Sequence, residues 1–215
     1  MSRRLLLFGV PVATGAILLL HGADPEHGRV VEQLGDRTTR WLAVHVGLLL
    51  ALPLLALWLW VAVRGLGGPI ARASRLALLP FAAFYSAFDA LLGIGTGVLV
   101  REALAAPDVD RAGAVALAET WWEVPAPIWV FGTLGPLSWL VACGAAAVAH
   151  WRAGTGLLVA GPLALAAPFF GFGHPLITGP IAMAALVLAA VGLERRWATS
   201  PPSGASSPAG GAGPA

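Results

Sequence analysis

The sequence predicts an all-α membrane protein: a bundle of about six transmembrane helices, with a short interfacial amphipathic helix in the 101–127 loop. Three observations carry that class. Apolar residues make up 58% of the 215-residue chain and charged residues 11%, about half the charge of an ordinary soluble domain. The apolar residues fall in blocks long enough to cross a bilayer core of ~30 Å at ~1.5 Å per residue. Strand-like alternation is missing, which argues against a membrane β-barrel.

The first apolar block covers about residues 5–20, behind Arg3 and Arg4. A charged start before an apolar run also fits a signal peptide. Cleavage after Ala23, however, would put His21 where a small residue is needed, so the block is expected to persist as a helix kinked at Pro11. Residues 21–40 read as a polar loop with four acids and three arginines. The second span is about 41–63, followed by an Arg-rich loop over 64–75, and the third is about 76–100. In the acidic 101–127 segment, Val115, Ala118, Trp121 and Trp122 fall roughly on one face of a helix over 110–122, which suits a helix lying on a membrane. Three more spans follow at about 128–150, 155–170 and 176–193. Residues 1–197 thus form one transmembrane domain. The tail, 198–215, is rich in Ser, Pro, Gly and Ala, carries no charge, and is expected to be disordered.

Charge sets the direction of insertion. With the N-terminus inside, one side carries Arg3, Arg4, Arg64, Arg72, Arg75, Arg152, Arg195 and Arg196 against Glu194 alone, and the other carries five arginines against nine acids. The positive-inside rule places both termini in the cytoplasm, in the inner membrane of a bacterium. Arginines at helix ends also account for the pI near 9.5 without a nucleic-acid partner. Trp41, Trp121, Trp122 and Trp129 are expected at the outer boundary and Trp58, Trp60, Trp151 and Trp197 at the inner one, as in an aromatic belt. Trp139 falls mid-helix. The single cysteine, Cys143, excludes an intrachain disulfide and reads as a small hydrophobe.

Asp89 is the one charged residue deep in an expected span, where a carboxylate costs on the order of 3 kcal/mol. It needs a partner. Counting along the helix puts it about 16 Å from the outer end, level with Thr14, Ser138 and Trp139, and the Trp139 indole N–H is the expected donor. Two roles stay open: a proton or cation site on a transport path, or a hydrogen-bonded lock between helices. Gly93 and Gly97 follow at the small-xxx-small spacing of a helix-packing face.

Of the five histidines, His21, His27, His45 and His174 map to the outer half. Neither His-Glu-x-x-His nor a cysteine pair is present, so no cofactor is predicted. The readings held in reserve are a divalent metal on His21, His45 and His174, and haem on His45 and His174. Ser86, Ser138 and Cys143 lack the surroundings of a catalytic nucleophile. Pro162, Pro168, Pro175 and Pro180 crowd the last hairpin, as can happen at a transporter's binding site. No repeat between residues 1–100 and 126–196 supports that architecture.

The run from Phe84 to Gly97, FYSAFDALLGIGTG, with the later Gly173-His174-Pro175-Leu176, resembles uncharacterised bacterial six-span inner-membrane proteins of unknown function. The resemblance is one of layout; it implies no activity and assigns no residue a role. The sequence is therefore read as a non-enzymatic accessory or binding protein with an acidic, His-bearing extracytoplasmic face. Its expected neighbours are the lipid bilayer and a membrane-protein partner or a second copy of itself. The first alternative is a small oligomeric proton-coupled transporter using Asp89, and the second a metal-dependent membrane enzyme with an outer-face site.

Overall fold

Helices account for nearly all of the described residues, and most helices adjacent in sequence pack as neighbours in space. The computed structural model describes residues 2–123, 126–170 and 175–199, with the backbone alone at 126–127, 169–170, 175–177 and 199. The helices are α1 Leu5–His21, α2 Val30–Val63 and α3 Gly68–Ala105, α4 Asp108–Trp122, α5 Ala126–Arg152, α6 Leu157–Ala166 and α7 Pro175–Thr199. No strand occurs among the described residues. α1 packs on α2, α2 on α3, α3 on α5, α5 on α6 and α6 on α7, and α7 returns against α1. The main core runs through this ring and includes Leu7, Leu52, Leu55, Trp58, Phe81, Trp139, Leu163 and Leu186.

Four helices, α2, α3, α5 and α7, are long and apolar enough to cross a membrane. The other two expected spans, near 5–20 and 155–170, coincide with shorter apolar helices, α1 and α6. α6 has 10 residues, and α1 joins five residues of π-helix to twelve of α-helix. At ~1.5 Å per residue they reach about 15 Å and 25 Å, short of a ~30 Å hydrocarbon core.

Helix boundaries also move outward. α2 starts at Val30 rather than near 41, and α3 starts at Gly68 rather than near 76. Polar residues 30–40 are therefore helical, and Arg72 and Arg75 lie on the first turns of α3, leaving only a short link after Val63. Arg75 closes that link by donating to the carbonyls of Val63 (3.2 Å) and Leu66 (3.0 Å). Hydropathy alone misplaces such ends because it records where the apolar stretch stops, not where backbone hydrogen bonding stops.

The start of α2 is held by α4. Both carboxylate oxygens of Glu119 accept backbone N–H groups of the first turn, from Val30 and Val31, each at 3.0 Å. These are donors that a helix leaves unsatisfied at its N-terminus, where the dipole also favours negative charge. Just before this turn, hydrogen bonds from Arg29 to Glu32 and Glu26 hold the Arg29 guanidinium above its ordinary pKa. Ala118 and Trp122 bury beside Val30, Leu34, Trp41 and Val100 in a second, smaller core. The helix expected over 110–122 thus exists, but its buried face meets protein, and its contacts do not distinguish a helix lying on a membrane. Glu119→Ala is expected to cost about 1–2 kcal/mol and to speed hydrogen exchange at the Val30 and Val31 amides, which amide-exchange mass spectrometry would resolve.

Several tryptophans serve the interior, which corrects the aromatic-belt assignment for Trp41, Trp58 and Trp122. All three are buried, and each indole N–H donates to a backbone carbonyl. Pro11 lacks the N–H that would bond the carbonyl four residues earlier. That carbonyl, on Leu7, instead accepts from Trp58 Nε1 at 2.8 Å. Trp122 donates to Pro25 at 3.1 Å. A buried N–H or carbonyl must find a partner, and here the indoles and the irregular backbone satisfy one another. Trp60, Trp129 and Trp151 remain exposed.

Candidate functional site

The middle of α3 is not a regular α-helix. Directly after Pro80 it widens into a π-helix over Phe81–Tyr85, then again over Asp89–Ile94. Proline removes a helix donor and crowds the preceding turn, and π segments of this kind are frequent where a helix carries a functional side chain. The second segment begins on Asp89. Its carbonyls take cross-helix donors: Trp41 Nε1 bonds Gly93 O at 2.7 Å and Trp121 Nε1 bonds Leu91 O at 3.1 Å.

Asp89 is 5% exposed, and its partner is His45 on α2, also buried. A 2.8 Å hydrogen bond joins His45 Nδ1 to Asp89 Oδ1. The other polar atom of each residue, His45 Nε2 and Asp89 Oδ2, is buried without a protein partner. Trp139, the donor expected from sequence, is instead bonded to Ala166 O at 2.9 Å. Depth counted along straight, parallel helices separates His45 from Asp89. The lengthened ends of α2 and α3 and the π turns, which take up residues without adding length, bring them level.

Gly93 makes the contact physically admissible. The His45 imidazole lies directly over Gly93 Cα, where a Cβ would overlap the ring, and Leu42 and Trp41 lie over Gly97. Both glycines thus face α2 side chains. On the other side of α3, Gly132 and Gly135 of α5 admit Phe88 and Tyr85, with a built Cβ meeting them at 2.7 Å and 2.8 Å. Gly93→Ala is expected to displace His45 and to cost about 1–3 kcal/mol from overpacking, read as a lowered unfolding free energy in detergent micelles. Gly113→Ala, on α4 with nothing within 4 Å of its built Cβ, is the matched control.

An aromatic cluster fixes the imidazole from above. Trp41 stands 4.4 Å from the His45 ring and 5.0 Å from His21 between centroids, and the two imidazoles are 4.8 Å apart. Trp122 closes edge-on against Trp41 at 6.1 Å. His21, at the end of α1, has Nδ1 3.1 Å from the Gly22 carbonyl. Beneath the cluster lies a cavity of about 240 Å³, many times the ~15 Å³ that one water requires. Its polar lining is His21, Asp24, His45, Tyr85, Asp89 and Thr14; its apolar lining comes chiefly from Leu18, Leu48, Leu52 and Leu55. Asp24 is exposed, so the cavity reaches solvent at the end of the bundle that carries α4. Toward the other end, Leu52, Leu55, Trp58 and Trp139 are packed with at most 1% exposure.

Thr14 lines the cavity, but its hydroxyl donates to Val10 O of its own helix at 2.8 Å. Ser138 is half-buried on α5 and does not line the cavity. His174 lies outside the described residues, as do residues 200–215 of the tail. No group of three His, Cys, Asp or Glu side chains fit to hold a metal occurs among the described residues. Asp89 and His45 each stand out in the sequence, but their pairing does not. The seven-residue, two-turn step from Thr38 to His45 offered no signal, because register between helices is not written in either one.

In comparisons with known proteins, no family model matches this chain, and no curated protein or solved structure matches it.

Proposed function

We propose that this is a bacterial inner-membrane protein that binds a small amphiphile in the cavity at the His45–Asp89 pair. In this reading the chain crosses the bilayer six times. α1 and α6 complete the ring by packing along longer neighbours, as short spans do where the bilayer thins. Both termini are cytoplasmic, on the charge asymmetry, and the cavity opens on the acidic extracytoplasmic side.

The observation that carries the proposal is the unpartnered atom on each member of a buried pair lining an accessible cavity. A net charge is expensive at this depth, so the pair is neutral overall and shares one ionising proton. Whether that proton lies on the imidazole or the carboxyl, His45 Nε2 carries hydrogen and Asp89 Oδ2 accepts. The pair therefore offers one donor and one acceptor, on two separate atoms. A hydroxyl can meet either atom, accepting from Nε2–H or donating to Oδ2, and the leucines lining the cavity take an alkyl or aryl body. The volume lies below the ~300 Å³ at which drug-sized sites begin, which points to a medium-chain alcohol or alkylphenol.

Isothermal titration of the micellar protein with 1-octanol tests this. Saturable binding that weakens at least tenfold in His45→Phe supports it; equal affinity in the variant contradicts it. A second reading, proton-coupled transport through Asp89, is favoured by the proton-sharing pair itself. It requires that Asp89→Asn stop substrate-driven proton flux in proteoliposomes.

A further inference from the structure

At the opposite end of the bundle, we infer a second site, for an anionic phosphodiester with a hydroxylated head. Here α2 ends, and α5 and α7 end beside it. Arg64, His150, Arg196 and Trp197 line a pocket of about 470 Å³ between them. Basic pockets between transmembrane helices bind lipid headgroups through phosphate, and guanidinium is the side chain best matched to phosphate oxygens. Among the described residues at this end, Glu194 is the one acid, and it pairs with Arg3 at 3.0 Å and Arg4 at 3.5 Å.

The hydroxyl requirement comes from His150. The residue is 2% exposed, and its Nε2 lies 3.2 Å from the Ala62 carbonyl. A carbonyl only accepts, so Nε2 carries the proton and Nδ1 keeps its lone pair. That Nδ1 is buried without a protein partner, on a residue that lines the same pocket. It calls for a donor, which a bare phosphate diester lacks and a glycerol hydroxyl supplies. Phosphate on Arg64 and Arg196 with a hydroxyl on His150 is thus the complete match. Two sources present that chemistry: the headgroup of phosphatidylglycerol, or a water-soluble glycerophosphodiester.

The full-length protein in nanodiscs of phosphatidylcholine, with phosphatidylglycerol added stepwise, tests the site by lipid retention in native mass spectrometry. The Arg64→Gln/Arg196→Gln variant should lose retention about tenfold. Arg72→Gln/Arg152→Gln removes the same charge from exposed positions outside the pocket and should lose little. Equal loss in both variants would mean bulk attraction to anionic lipid and overturn the site. His150→Phe should bring retention of phosphatidylglycerol down to that of phosphatidic acid; unchanged preference would overturn the hydroxyl role. Competition by soluble glycerophosphoglycerol at matched concentration would assign the soluble source, and its failure the lipid. If the double variant does not fold, Arg64→Gln alone, at an exposed residue, carries the same comparison.

Discussion

Asp89→Leu lowers the unfolding free energy by about 3 kcal/mol and abolishes octanol binding. Leucine fills the space but leaves His45 Nδ1, now 2.8 Å from nothing that accepts, as a buried imidazole without its carboxylate, and breaking one side of a buried pair costs about 3–5 kcal/mol. Asp89→Asn separates structure from binding. Its amide oxygen still accepts from Nδ1–H, so stability falls by about 1 kcal/mol, whereas the head contact is altered. Removing both partners, as His45→Leu/Asp89→Leu, is expected to restore most of the stability and none of the binding, because two apolar side chains need no partner. Equilibrium unfolding in micelles over these variants forms a double-mutant cycle. A coupling energy near zero would show that the pair does not act as a unit.

Trp41→Ala is the second large effect. The side chain is 3% exposed, packs on His21, His45 and Trp122, and donates to the π segment at Gly93 O. Truncation to alanine removes an aromatic core anchor worth about 3–5 kcal/mol and lets the His45 ring swing. Trp41→Phe keeps the ring contacts and gives up the hydrogen bond, at about 1–2 kcal/mol. If Ala and Phe cost the same, the Gly93 bond rather than the packing holds the site.

The helical, membrane-length character was legible in block lengths and charge sparsity, because the bilayer imposes both on sequence directly. Helix ends were not, since they depend on distant partners: α2 begins at Val30 because Glu119, 89 residues later, accepts its first N–H groups. Asp89 stood out because a carboxylate among apolar residues violates the pattern. Its partner did not, since His45 sits in a helix whose register against α3 is set by Gly93, and nothing in either stretch states that the two meet. The Trp residues were read by their frequency near interfaces, whereas Trp58 is interior for a local reason, the carbonyl that Pro11 leaves open. That bond, from Trp58 to the Leu7 carbonyl, joins residues 51 apart, beyond the reach of any local pattern.

The proposed site rests on the atoms of one imidazole, so nitrogen NMR of histidine-labelled protein tests it most directly. Titration with 1-octanol should shift the His45 Nε2 resonance saturably while Nδ1, bonded to Asp89, moves little, and the Asp89→Leu variant should show neither response. A saturating shift confined to other histidines, or no shift at concentrations where octanol is bound, would contradict ligand capture by the pair.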